Sequence, residues 1–170
     1  MRRHSIRTFL LAAGCIALLS GCTKSNIVRP EMAESPDFNI YTDIELDEEQ
    51  LKEDVDEIYL DETDYPMGYA IDFKLYPRKD YVTVAVVVKD GTSPEDAAYF
   101  ADVAVKGIND QAAVQDFSYE MSGEESFGGF YLDKEIRLKI YRQSEYEAKG
   151  APMYETTVPK GTYMTFEIKE

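Results

Sequence analysis

The sequence predicts an α+β fold: an antiparallel-rich sheet of about five strands packed by one or two helices, behind an N-terminal leader and tether. Three observations carry this. Residues 69–88 hold two period-two runs split by Pro77-Arg78-Lys79-Asp80. Residues 93–108 combine a capping serine, a proline and an apolar stripe at helical spacing. Residues 130–141 alternate apolar and charged side chains. Period two marks strands with two different faces, and the 3.6-residue period marks helices with one buried side.

Residues 1–21 come first and read as a signal peptide. Arg2, Arg3 and Arg7 form a positive n-region, and Phe9 to Leu19 is an apolar run of 11 residues. A membrane-crossing helix needs about 20 apolar residues, so this run suits a secretory h-region instead. Arg2-Arg3 raises the twin-arginine route, but His4 and Ser5 lack the apolar character that route prefers.

The run closes on Leu19-Ser20-Gly21-Cys22. These four residues resemble the lipobox of bacterial lipoproteins. The resemblance covers residues 1–22 and implies cleavage between Gly21 and Cys22, with the Cys22 thiol carrying a diacylglyceryl group and the new N-terminus an acyl chain such as palmitate. It implies an extracytoplasmic protein held at a cell membrane or outer membrane. Thr23 stands where an Asp would signal inner-membrane retention in Gram-negative lipoproteins. One acyl chain binds membranes only marginally, whereas the two chains of a diacylglyceryl group anchor stably. The alternative is an ordinary secreted protein with Cys22 as a free thiol. Such a thiol would lack an internal partner, because Cys15 lies in the discarded segment.

Charge narrows the partners. The chain holds 18 Lys+Arg against 33 Asp+Glu, and losing the leader's three arginines takes the net charge from −15 to −18. Nucleic-acid binding needs bases to neutralise phosphate, so that class is disfavoured. Electrostatic docking on anionic lipid is disfavoured for the same reason. A mature length of about 150 residues suits one domain with its own core. It is short for a two-lobed, hinge-closing solute-binding protein.

Residues 22–40 read as the lipidated N-terminus and a tether. Pro30, Pro36, Ser25, Asn26, Ser35 and Asn39 break any apolar period. Residues 41–170 form the single α+β domain, whose N-terminal part is acidic: Asp43 to Asp64 carries 12 acids and one base, Lys52. Leu51, Val55, Ile58 and Tyr59 are spaced for a helix near 47–59. Asp47 with Gln50 suggests a capping box, and Glu48 with Lys52 an i,i+4 pair. The functional alternative is calcium on Asp54, Asp56, Asp61, Glu62 and Asp64, all hard oxygen donors. EF-hand spacing is missing, and runs of like charge usually stay solvated, so a wet helix face is the favoured reading. A docking surface for a basic partner is a third use of these acids.

Tyr69, Ile71, Phe73 and Leu75 share one face of the first strand. Val82, Val84, Val86 and Val88 share one face of the second, and Ala85 and Val87 make its other face apolar too. The second strand is therefore expected to be central and covered on both sides. Ser93 caps the next helix, Pro94 takes its first position, and Glu95 and Asp96 fill its first turn. Ala97, Phe100, Ala101, Ala104 and Ile108 form its buried stripe. Gly107 either ends it or weakens an extension towards Val114. Gln115–Met121 reads as a short strand, Phe130–Tyr141 as a strong one, and Glu145–Lys149 as a polar connection of up to one helical turn. Tyr163–Lys169 reads as the last strand, with Met164, Phe166 and Ile168 inward. The order of the first five elements resembles the αββαβ ring-building and BON-type domains of envelope proteins. The likeness rests on element order alone.

Catalytic side chains are scarce. His4, the single histidine, leaves with the leader, and Cys22 is lipidated if the lipobox operates. Ser-His-Asp and Cys-His catalysis, and zinc on His or Cys, are thereby excluded from the mature domain. Gly128-Gly129 lacks the Lys-Ser/Thr of a P-loop. A carboxylate-pair hydrolase remains a distant alternative, with no pair singled out. Among thirteen tyrosines, Tyr69, Tyr76, Tyr81, Tyr131 and Tyr141 fall on expected strands. They suit core and edge packing, or an aromatic strip for a peptide or glycan. The expected function is a non-catalytic, lipid-anchored domain that binds another envelope protein or assembles with itself. A calcium- or glycan-binding surface module is the alternative.

Overall fold

A computed structural model of the chain describes residues 45–76 and 78–169. The leader, Gly21, Cys22 and the tether lie outside the described residues. From Glu45 on, the chain is α+β. The elements are α1 (Glu48–Tyr59), β1 (Gly68–Lys74), β2 (Tyr81–Val88), α2 (Pro94–Gln115), β3 (Glu135–Arg142), α3 (Gln143–Glu147) and β4 (Tyr154–Val158), with a 3-10 turn at Gly129–Tyr131. They build one sheet of four strands in the order β1-β2-β3-β4. Among the described residues no helix is long and apolar enough to cross a membrane.

α1 begins where the sequence places it. The Asp47 carboxylate accepts from the N–H groups of Glu49 and Gln50, both at 3.1 Å. Gln50 does not close the capping box, because its amide donates to Asp54. Gln115, at the far end of α2, takes that place. The Asp47 N–H donates to Gln115 Oε1 at 2.8 Å, and Gln115 Nε2 donates back to the Asp47 carbonyl at 3.2 Å. Leu51 and Val55 are fully buried, while Ile58 turns outward.

β1 and β2 form the expected antiparallel hairpin, with Ile71 opposite Val86 and Phe73 opposite Val84. A bulge between Gly68 and Ala70 shifts the register, so Tyr69 leaves the face it was expected to share with Ile71 and is 41% exposed. β2 is central as expected, but its second face is largely uncovered. Val87 alone is buried there, and Tyr81, Thr83 and Ala85 are half-buried.

α2 runs 22 residues, straight through Gly107. Ser93 caps it, accepting from the Asp96 N–H at 3.1 Å and donating to the Asp96 carboxylate at 2.7 Å. The glycine is there for close approach: a Cβ at 107 would overlap the Tyr59 ring, which lies where α1 crosses α2. The helix then serves as the crossover between β2 and β3, which pair in parallel over the full length of both. Parallel neighbours need such a long connection.

Three strand expectations are corrected. Gln115–Met121 is no strand: α2 takes Gln115, and Asp116 closes a turn by accepting from the Ser118 N–H at 2.9 Å. The alternation of Phe117, Tyr119 and Met121 imitates a strand, yet only Tyr119 packs inward, edge-on to Phe130 at 5.4 Å. The strand expected from Phe130 starts at Glu135, because residues 129–131 coil into the 3-10 turn. Tyr163–Lys169 pairs with no strand. Its Tyr163 and Phe166 rings lie on Phe127 at 4.9 and 5.8 Å instead. The fourth strand is Tyr154–Val158, antiparallel to β3. β3 therefore takes the fifth place in the α-β-β-α-β order.

The connection from α2 to β3 is fixed by one side chain. Asn109 is fully buried. Its Oδ1 accepts from the Phe130 N–H at 2.9 Å, and its Nδ2 donates to the Glu120 carbonyl at 3.1 Å and to the neighbouring Asp110 carboxylate at 2.8 Å. Asp110 in turn accepts from the N–H and hydroxyl of Ser122 at 2.6 and 2.7 Å. Gly128 passes over this amide with φ +94°, where a Cβ would overlap it. An Asn109→Leu variant leaves the buried Phe130 N–H unsatisfied, while the Glu120 carbonyl keeps the Gly129 N–H at 2.8 Å. It is expected to lose roughly 1–3 kcal/mol, read as a lower urea midpoint at unchanged slope.

Candidate functional site

Helices α1 and α2 cover one face of the sheet through Leu51, Val55, Phe100, Ala104 and Ile108, packed on Ile71, Val84, Val86 and Leu138. The five-residue α3 reaches only one end of the other face. Strand register sets out what that face presents. One row across the sheet reads Asp72, Ala85, Lys139, Glu155, and the next reads Lys74, Thr83, Arg137, Thr157. The small side chains of Thr83, Ala85 and Thr157 leave a shallow trough of about 350 Å³ between longer charged neighbours.

These neighbours are held in place. Arg137 donates through Nε to Glu135 Oε1 at 2.7 Å, and its Nη2 lies 2.6 Å from the same oxygen, an ion pair that restrains the guanidinium. The same guanidinium carbon lies 3.5 Å from the centre of the Tyr81 ring. Tyr81 meets Tyr76 at 4.9 Å, and Lys79 sits 5.1 Å from both rings while donating to the Tyr81 hydroxyl at 2.8 Å. Lys74 lies 5.5 Å from Tyr76. Lys139 pairs with Glu155 at 3.3 Å. Cations thus alternate with aromatic rings along the hairpin end, each contact favourable through the ring quadrupole.

At the opposite end, Tyr141 meets Tyr146 of α3 at 5.4 Å. Tyr69, displaced by the bulge, donates its hydroxyl to Glu147 at 2.9 Å, and Gln143 donates to the same carboxylate at 3.0 Å. These bonds, the one from Gln143 first, hold the Glu147 carboxyl below its usual range. Of the five tyrosines expected on strands, four fall at the two ends of the face: Tyr76 and Tyr81 at one, Tyr69 and Tyr141 at the other. Tyr131 is elsewhere, buried, with its hydroxyl donating to the Val105 carbonyl at 3.2 Å.

The five acids considered for calcium are each engaged or placed separately. Asp54 accepts from Gln50 at 2.9 Å. Asp61 turns the chain, accepting from the N–H groups of Thr63 at 2.7 Å and Asp64 at 3.4 Å, which lowers its carboxyl. Glu62 pairs with Lys89 at 2.8 Å, which lowers its carboxyl too. Partial burial, then the charge of Asp72, raises Asp56. Asp64 is exposed in the same turn. Among the described residues no three or more His, Cys, Asp or Glu side chains are arranged to hold a metal ion.

The sequence points both ways here: Ala85 and Val87 read as buried, while the alternation of Glu135, Arg137 and Lys139 fits a sheet with one wet face. β3 shares its outer face with β2, so the second reading holds and the first survives only at Val87. The chain matches no known family model, no curated protein and no solved structure.

Two measurements check these placements. Burial pushes the Tyr131 phenol well above its ordinary value. The folded state keeps that proton while an unfolded tyrosine releases it near pH ~10. The contribution is therefore fully present below about pH 10 and is lost as pH rises further. Tyr131→Phe is expected to cost about 1 kcal/mol at neutral pH through its lost hydrogen bond, yet to show a shallower fall in urea midpoint at alkaline pH. Millimolar Ca²⁺ is expected to leave the melting temperature unchanged, because Asp54, Asp61 and Glu62 already serve other partners and the five acids form no cluster among the described residues; calorimetry reads this directly.

Proposed function

We propose that this chain is a non-catalytic, extracytoplasmic lipoprotein, anchored by lipid on Cys22, that binds another envelope protein through the uncovered face of its sheet. The observation that carries the reading is that face itself. A two-layer α+β domain normally leaves a sheet's second face wet and polar or buries it against something. Here the face is neither a plain charged surface nor a covered one. Its bases Lys74, Arg137 and Lys139 balance its acids Asp72, Glu135 and Glu155, on a chain of net charge −15.

Its floor is made of small side chains, its ends are aromatic, and its arginine is held by a carboxylate and a ring. Aromatic residues and arginine are enriched at protein interfaces, and preset side chains lose less entropy on binding. The sequence from Thr23 to Glu170 holds no histidine and no cysteine, which leaves nucleophilic chemistry without its usual base. Self-assembly through the same face belongs to this reading. The calcium- or glycan-binding use of the acidic segment is weaker, given the separate engagements of Asp54, Asp61 and Glu62. A carboxylate hydrolase is weaker still.

A photo-cross-linking side chain placed at Thr83 or Thr157 of the membrane-bound protein is expected to capture one discrete partner band, or a dimer. The same group at Glu53, on the exposed side of α1, is expected to capture neither. Equal capture from both faces overturns the reading, as does turnover of a glycan, peptide or ester that is lost on mutating particular acids. Cys22→Ser is expected to release the protein from the pelleted membranes and abolish palmitate labelling. Retention of an unlabelled protein refutes the anchor.

A further inference from the structure

Three exposed apolar side chains, among them the most exposed large one of the described residues, fall close together in the chain at one corner. Phe117 is 89% exposed, Met121 59% and Val114 54%. They fall within eight residues of chain that fold back on themselves. Val114 is in the last turn of α2, one turn on from Asp110, and Asp110 holds Ser122 by two hydrogen bonds of 2.6 and 2.7 Å. Ser122, next to Met121, is thereby tied back to α2 one turn before Val114, and Phe117 lies between the two in the returning chain.

This corner is also where the described chain enters the domain. Gln115, between Val114 and Phe117, is bonded in both directions to the backbone of Asp47. Glu45 and Leu46 line the same hollow as Tyr119. Asp47 is therefore tied by hydrogen bonds to the segment that bears the exposed apolar residues. The cysteine of the proposed anchor precedes Glu45 by 23 residues. Along the covalent chain, no part of the domain is closer to the lipid than this corner.

We propose that Phe117, with Met121 and Val114, seats this corner in the interfacial layer of the bilayer that holds the lipid anchor. The inference rests on the anchor reading. Apolar side chains exposed in water gain by entering the headgroup–acyl boundary. Near a tethered lipid they do so at high effective concentration, so a contact too weak to bind alone becomes populated. The nearby acids Glu45, Asp47, Glu48 and Asp116 select against anionic lipid, so the contact is with zwitterionic headgroups. It also orients the domain: the corner faces the membrane and the N-terminal end of α2 faces away. Tyr99, on the same helix 15 residues before Val114, marks that distant end, roughly 22 Å off at 1.5 Å per residue.

The test uses the lipidated full chain, which contains no tryptophan. Phe117→Trp gives a single emitter at the corner, and Tyr99→Trp, replacing a side chain 55% exposed, gives one at the far end. Each protein is reconstituted in phosphatidylcholine vesicles whose acyl chains carry bromine. The expected result is blue-shifted, bromine-quenched emission from position 117 and water-like, unquenched emission from position 99. Anionic lipid added to the vesicles is expected to reduce the quenching at 117. Unquenched emission at 117 from protein that floats with the vesicles overturns this inference and leaves the anchor standing. Blue-shifted but unquenched emission there means that protein covers the corner, which also overturns it. Equal quenching at both positions removes the orientation. A protein that neither floats nor is quenched refutes anchor and corner together.

Discussion

The Asn109 amide is the constraint on which the rest of this structure depends. An asparagine inside a helix has little intrinsic reason to be there, since its side chain competes with the backbone for hydrogen bonds. Here it is buried and works as a two-sided clamp, receiving the Phe130 N–H and donating to the Glu120 carbonyl. The loop itself serves the Glu120 carbonyl a second time, through the Gly129 N–H at 2.8 Å, and leaves the Phe130 N–H to the amide. With the clamp closed, Gly128 and Gly129 pass over the helix without side chains in the way. Phe130 and Tyr131 are delivered into the core, and the chain emerges at Glu135 in register for a parallel pairing with β2. The Glu135 N–H then bonds the Asp80 carbonyl at 2.8 Å. A single amide thus converts a helical crossover into a sheet with a fixed register.

The two helices are set against each other by features at opposite ends of their contact. At one end Tyr59 lies over Gly107, which has no Cβ to hold it off. At the other, Gln115 and the Asp47 backbone exchange hydrogen bonds. Between them Leu51 and Val55 are fully buried in the core. The sheet's other face receives no such layer, and its charged side chains are fixed instead by one another and by tyrosine rings. The asymmetry between a sealed face and a preset open one is what gives the domain a surface to offer.

What the sequence reveals follows the range of the forces involved. Caps act within four residues, so Asp47 and Ser93-Pro94 mark both helix starts correctly. The β1–β2 hairpin is equally local. Mistakes appear where the outcome depends on distant chain. Met164, Phe166 and Ile168 alternate more strongly than Tyr154, Thr156 and Val158, yet the weaker segment is the strand. Phe127 offers Tyr163 and Phe166 a ring to lie on, and β3 offers an edge to β4; neither can be read from the segments alone. Phe117, Tyr119 and Met121 carry strand periodicity in a turn because two of the three point into solvent. The face proposed as a binding surface is legible in β3, through Glu135, Arg137 and Lys139, but not in β2: Val87 is buried as its type suggests, whereas Thr83 and Ala85 are only half-buried.

The bulge at Gly68–Ala70 has a consequence for life at high local density. β1 and β4 both end the sheet, and among the described residues neither has a strand beyond it. Unpaired edges invite neighbouring copies to add strands without limit. β1 resists this by its irregular first residues and by the outward charges of Asp72 and Lys74, and β4 by being only five residues long. Proteins crowded in two dimensions on a membrane meet each other's edges far more often than in solution. If the proposed anchor holds the protein on a membrane, blunted rims let the sheet tolerate that crowding with its broad face still open.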